Sequence, residues 1–131
     1  MPVHKNFKLS IGTDIADISS FEKFCHDRDV SFLTKNFTDK EIDYCFSKES
    51  PAPHLAARFA GKEAVIKALY SHGLKALPFR EIEIVNDDKG LPMVKINVIG
   101  YEKIKIGISL SHCEDKAIAF AIIYRDDIDD E

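Results

Sequence analysis

No apolar run in the sequence approaches the length of a membrane span, and its Lys/Asn-containing start lacks an apolar signal segment. A soluble, cytoplasmic protein is expected. Cysteine is scarce: Cys25, Cys45 and Cys113 are odd in number and far apart, with no CxxC pair and no zinc spacing. This excludes a disulfide framework and favours free thiols in a reducing compartment. Positive charge is in deficit, with 18 Lys and Arg against 22 Asp and Glu and a net charge of -4. That argues against nonspecific nucleic-acid binding, which needs cations to neutralise phosphates. Internal repeats and linker-like stretches are also absent. What remains is one domain over residues 1–131, ordinary in its 45% hydrophobic and 31% charged content and long enough to bury a core.

The chain is organised around His54 to Tyr70, HLAARFAGKEAVIKALY. This stretch is rich in Ala and is interrupted only by Gly61, so the spacing predicts a helix entered from a turn stiffened by Pro51 and Pro53. At about 100° per residue, Leu55, Phe59, Ile66, Leu69 and Tyr70 share one side. Lys62 falls within that stripe and Glu63 on its edge. A charged side chain at a packing face needs a partner. Glu63 and Lys67 can also form a plain i,i+4 surface pair, and Lys62 can snorkel outward.

In chain order, Phe7, Leu9 and Ile11 alternate with polar residues and predict a strand reaching Gly12-Thr13-Asp14, with Ile15 to Ile18 continuing it. Ser19 and Glu22 form the pattern of a capping box, predicting a short helix to about Arg28. Thr38 and Glu41 repeat the pattern ahead of Ile42, Cys45 and Phe46. Gly73 is placed to stop the long helix. The period then changes to two: Ile82 and Ile84, a polar loop from Asn86 to Gly90, and a return strand through Val94, Ile96 and Val98 predict a hairpin. Ile104, Ile106, Ile108 and Leu110 form another strand up to Ser111-His112. A turn at Cys113 to Asp115 leads to a last apolar strand from Ala117 to Tyr124. The acidic end from Asp126 to Glu131 is expected to fray. Helices clustered before an antiparallel sheet indicate an α+β fold.

Among residues able to carry chemistry, His112 and Cys113 are adjacent. On a strand such neighbours point to opposite faces and cannot form a nucleophile-base dyad, an objection that weakens if both lie in the turn. Asp17 reads as a solvated or capping carboxylate. Asp14 at a strand exit and Glu63 on a helix flanked by Lys62 and Lys67 are more informative together. Two carboxylate oxygens, completed by water and substrate phosphates, suit Mg²⁺, while lysines and Arg58 suit the phosphates.

Four segments in order, IGTDIADI, RFAGKEAVIKAL, FREIEIVNDDKGLP and ISLSH, resemble the holo-acyl-carrier-protein synthases, the small single-domain 4′-phosphopantetheinyl transferases. The RFAGKEAVIKAL segment is specific, the G-x-D and S-x-S-H pieces are weak alone, and all four in the family's order carry the resemblance. The resemblance implies helices packed on an antiparallel sheet, and Mg²⁺-dependent transfer of phosphopantetheine from coenzyme A to a serine of an apo acyl carrier protein. It also implies a homotrimer with sites between subunits. By position, Asp14 and Glu63 match the metal carboxylates, Lys62 the motif lysine near the phosphates, and Lys67 and Arg58 basic positions of the coenzyme A cleft. Gly90, Pro92 and His112 match segments lining the cleft from a neighbouring subunit. Either Glu63 or a water serves as the base. Two departures stand out. Position 16 is Ala16 rather than a second acid, and the region from Ser20 to Asp29 is nearly balanced in charge where the family's first helix is basic. The alternative function is a catalytically idle relative that binds coenzyme A or a carrier without transfer.

Overall fold

The computed structural model describes residues 9–125. Phe7 and the acidic end 126–131 lie outside the described residues. Strand β1 (Leu9–Asp17) runs antiparallel to β5 (Lys116–Arg125), which pairs on its other edge with β4 (Ile104–His112). A second, two-stranded sheet holds β2 (Ile82–Asn86) and β3 (Pro92–Ile96). The expected single sheet is therefore two, and the return strand stops at Ile96, short of Val98. Among the described residues three α-helices accompany them: α1 (Val30–Asn36), α2 (Asp39–Phe46) and α3 (Pro51–Ser71). The α+β expectation holds.

Helix α3 is the axis of the fold. Pro51 and Pro53 stand inside its first turn, where a missing N–H leaves no hydrogen bond unmade, instead of in the turn before it. At its end Gly73 takes φ +86°, donates to the Tyr70 carbonyl at 3.1 Å, and lets Leu74 reach back to Leu69 at 2.9 Å. This pair of bonds satisfies carbonyls that the helix end would otherwise leave open. The one-sided stripe is a partial description. Ala56, Ala57, Ala60, Ala64 and Ala68 are buried alongside Leu55, Val65 and Leu69, so small residues let the helix bury most of its circumference. Tyr70, expected on the packed side, is 80% exposed.

Gly12 fixes how close β1 comes to α3. A Cβ there would lie 2.1 Å from the Ala64 carbonyl oxygen and 2.9 Å from the Ala68 nitrogen. Both are backbone atoms of a packed helix and cannot yield, so only glycine allows this approach. Ser10, Gly12, Asp14 and Ala16 consequently face α3, while Leu9, Ile11, Thr13 and Ile15 face away.

The helix expected from Ser19 to Arg28 is replaced by a four-residue 3-10 turn, Ile18–Phe21, without a side-chain cap. Two local bonds hold the chain in turns beyond it. Asp29 accepts the Cys25 N–H at 2.7 Å, and Arg28 donates to the Lys23 carbonyl. Aspartate bonded to nearby backbone competes with helix. Instead α1 begins after Asp29, an element the sequence patterns above do not predict. The second capping box is present in full, with Thr38 and Glu41 each bonding the other's backbone N–H.

Candidate functional site

Lys67 leaves α3 toward β1. Its ammonium donates to the Thr13 carbonyl at 2.9 Å and to Asp14 Oδ1 at 3.2 Å. Glu63 lies one turn before Lys67 and Phe59 one turn before Glu63, so all three share a face of α3. Asp14 spans that face, since it touches Lys67 and also lines, with Ala16, Phe21 and Phe59, a cavity of about 360 Å³. Glu63 lies between Lys67 and Phe59 on that same face of α3. A seam results along β1 and α3: a cation, two acids, then aromatic rings. Phe21 packs on Phe59 at 5.3 Å between centroids, and Phe24 stacks on Phe32 at 4.4 Å.

Glu63 is half-buried and has no hydrogen-bond or ion-pair partner among the described residues. The expected alternative, a Glu63–Lys67 surface pair, does not form because Lys67 is taken by Asp14. Among the described residues no three His, Cys, Asp or Glu cluster as a metal cage. Two carboxylates, one of them unpartnered, on the edge of an open seam still fit Mg²⁺, which commonly keeps waters and binds through one or two carboxylates.

Lys62 departs from the expectation that it faces phosphates. It is fully buried, and its ammonium donates to Glu41 Oε1 at 2.8 Å, the Phe79 carbonyl at 2.8 Å and the Ile82 carbonyl at 2.6 Å. An ammonium has three N–H donors, so none is left for a ligand. Burial lowers its affinity for the proton, and the Glu41 carboxylate opposes that shift. Glu41 itself is saturated, accepting from Thr38 N at 2.8 Å and Ile84 N at 2.7 Å as well. This network joins α2, α3 and β2. It is structural, and Lys67 is the lysine of the seam.

Arg58 leaves α3 about 140° away from Glu63, toward α2 and the hairpin. It is 3% exposed, donates to Asn86 Oδ1 at 3.2 Å, and stacks over the Tyr44 ring at 4.4 Å. Its Nε has no partner, and no carboxylate pairs with it among the described residues. His112, the last residue of β4, lies on the same side of the molecule, edge-on to His54 at 6.3 Å between ring centroids. His54 in turn meets Tyr44 at 5.7 Å. Arg58 and His112 are thus brought to one cluster, apart from Asp14, Glu63 and Lys67. His54 and Tyr44 were not singled out by the sequence; they converge from different elements, and no local spacing signals it.

The hairpin loop places Gly90 at φ +86° and begins β3 at Pro92, opposite Asn86. Asp87 Oδ1 accepts from Lys89 N at 2.8 Å and Leu91 N at 2.9 Å, which shapes the loop. Asp17 is exposed, as expected, and pairs with Lys116 at 2.9 Å. The thiols offer no competing chemistry: Cys45 is buried, which pushes its pKa up to about 12, and Cys25 and Cys113 are free at the surface. No helix among the described residues is long and apolar enough to cross a membrane.

Comparison with known proteins identifies the family of the chain. The 4′-phosphopantetheinyl transferase superfamily matches residues 10–121. A holo-[acyl-carrier-protein] synthase of Thermodesulfovibrio yellowstonii is 47% identical over 113 residues, 86% of this chain and 96% of that protein. Among solved structures, the acyl carrier protein synthase of Mycobacterium tuberculosis superposes with a TM-score of 0.68 at 34% identity, covering 88% of this chain and 96% of the other. The Helicobacter pylori holo-[acyl-carrier-protein] synthase in complex with coenzyme A gives 0.73 at 30% identity, covering 86% and 98%. With the family's match spanning most of the chain and a relative this similar over its full length, the chain belongs to the holo-[acyl-carrier-protein] synthases of the 4′-phosphopantetheinyl transferase superfamily.

Proposed function

We propose that the protein transfers the 4′-phosphopantetheine group of coenzyme A to a serine hydroxyl of an apo acyl carrier protein. The observation that carries this reading is the seam of Lys67, Asp14 and Glu63, set within a chain that belongs to the synthases. The serine oxygen bonds to the β-phosphorus of the coenzyme A pyrophosphate, and the bond to the bridging oxygen breaks. Adenosine 3′,5′-bisphosphate leaves with that electron pair. Lys67 holds a positive charge where the pyrophosphate lies. Glu63, free of any other partner, is positioned to take the serine proton. Asp14 and Glu63 would hold Mg²⁺, which when bound supplies charge stabilisation to the pyrophosphate. Arg58 and His112 would hold the remaining, phosphomonoester, group of coenzyme A, with Gly90 and Pro92 beside it.

These two sets of residues lie on different sides of α3, so one bound molecule touches both most simply across two copies of the chain. The sheet face away from α3 supports such an assembly, a homotrimer. Ile11 and Ile15 are more than half exposed, and Phe120 and Ile118 lie beside them across β5. A continuous apolar face of this kind marks an interaction surface. Co-refolding Asp14→Ala with His112→Ala tests the arrangement. About a quarter of sites should regain both intact sides if three subunits mix at random. No recovery in proven mixed oligomers would place both sets within one chain's site.

The function itself is tested by incubating the protein with coenzyme A, Mg²⁺ and apo carrier and weighing the carrier intact. The mass should rise by one phosphopantetheine, and chelator, Asp14→Ala or Glu63→Ala should each suppress the change by orders of magnitude. A carrier of unchanged mass, with coenzyme A bound, would identify the protein as a binding relative.

A further inference from the structure

Around Tyr44 the molecule gathers cationic groups, and no anion among the described residues is paired with them. Lys48 lies over one part of the Tyr44 ring at 4.7 Å and Arg58 over it at 4.4 Å, while His54 meets its edge and touches His112. These groups come from α2 and its following turn, from α3 and from β4. The one buried carboxylate among the described residues, Glu41, is occupied by Lys62 and two backbone N–H groups. A buried guanidinium without a counter-ion is costly unless something of opposite charge fills the place. The unpartnered Arg58 Nε marks the same vacancy in its bonding.

We propose that His54 completes the anion pocket formed by Arg58, His112 and Lys48, and that it couples the binding of a phosphate group to the uptake of a proton. The inference rests on the reading that this cluster receives the phosphomonoester of coenzyme A. In the free protein burial holds the imidazole of His54 below its usual range, and Arg58, Lys48 and His112 add to this by repelling its charged form. No acidic group among the described residues opposes them. A phosphate dianion seated among these groups reverses the sign of the local field and favours the imidazolium. His54 is then both a donor to the phosphate and the proton acceptor of the binding step. The ligand cannot mimic this signal. Its own second ionisation, near pH 6, is lowered by cations and releases protons.

Calorimetric titration of the intact protein with coenzyme A, without Mg²⁺, in buffers of different ionisation enthalpy near pH 7.5 measures the protons exchanged. Wild type should take up on the order of half to one proton per site, and its affinity should rise up to about tenfold for each unit of falling pH above the free His54 pKa. In His54→Gln, coenzyme A should still bind, with the uptake largely lost and a flatter pH profile. The His54 imidazole resonances of wild type should move from the neutral to the cationic position on saturation at fixed pH, which tests the proposal even if the variant folds poorly. Binding without proton uptake, uptake unchanged in His54→Gln, or uptake lost only in His112→Gln would each overturn the inference and leave the transferase reading intact. Failure of wild type to bind coenzyme A would overturn both.

Discussion

Lys62 and Lys67 sit five residues apart on the same helix and have opposite fates. Lys62 is enclosed, with all three ammonium donors bonded to Glu41 and to the carbonyls of Phe79 and Ile82. Lys67 is more than half exposed and bonded to Asp14 and the Thr13 carbonyl, at the edge of a cavity and one turn from an unpartnered Glu63. The difference lies in what each charge still has to offer. A saturated buried pair can hold elements together and cannot greet a substrate. A partly exposed pair can exchange its partner for a phosphate or a metal at little cost, because surface ion pairs are weak. On this contrast rests the proposal that the working lysine of α3 is the one whose bonds are replaceable.

The comparison breaks most visibly in stability. Lys62→Met leaves the Glu41 carboxylate buried with its cation gone, which should cost about 3–5 kcal/mol. Denaturant unfolding should show a much lower midpoint, and activity should follow the folded fraction. Lys67→Ala should leave the midpoint nearly unchanged and lower turnover on the order of 100-fold, about 2.7 kcal/mol of transition-state stabilisation. A Lys62→Met protein of wild-type stability with lost turnover would reverse the assignment of the two lysines. A paired replacement sharpens the point. Glu41→Leu together with Lys62→Met removes both charges and should recover about 1–4 kcal/mol relative to Lys62→Met alone. Recovery will be partial, since Thr38 N and Ile84 N lose their acceptor.

A smaller loss is expected where β1 meets α3. Gly12→Ala places a methyl against helix backbone that cannot move aside. Overpacking should lower stability by about 1–3 kcal/mol and, by pushing Asp14 off Lys67, should reduce turnover in the protein that remains folded. Stability and turnover both at wild-type levels would show that the strand can shift without disturbing the seam.

What the sequence made legible was local. The Thr38–Glu41 capping box, the stop at Gly73 and the period-two strands each rest on residues within a few positions of one another. Asp14 with Glu63 could be put forward from the sequence because residue types, and the resemblance that carries them, pointed to one chemistry. The choice between Lys62 and Lys67 was not. Both neighbour Glu63 along the chain, and only the packing of α2 and β2 against α3 decides which is enclosed. Ser19 to Arg28 failed for the opposite reason: a correct local pattern was overridden by Asp29 and Arg28 bonding the backbone in turns. His54 shows no pattern at all, because its partners arrive from three separate elements.

The smallest expected effect concerns the carrier. The stretch from Ser20 to Asp29 borders the cavity beside Asp14, where the proposed reaction has the carrier present its serine. Its cations are already engaged within the chain: Arg28 pairs with Asp29 at 3.1 Å, and Lys23 lies over the Phe24 ring at 5.5 Å. Nearby Lys116 pairs with Asp17 and Asp115. Few positive charges remain to draw in an acidic partner, whereas Phe21, Phe24, Phe32 and Phe59 offer an apolar wall. Association driven by steering falls steeply with ionic strength, and contact driven by apolar burial does not. The association rate with an acidic apo carrier, followed by stopped flow, should therefore change less than about threefold between low and physiological salt. Phe24→Ala should slow productive docking at both salt concentrations alike, and Lys23→Ala should have little effect at either. A steep salt dependence that Lys23→Ala abolishes would show that charge, held back in the free protein, is released to guide the carrier.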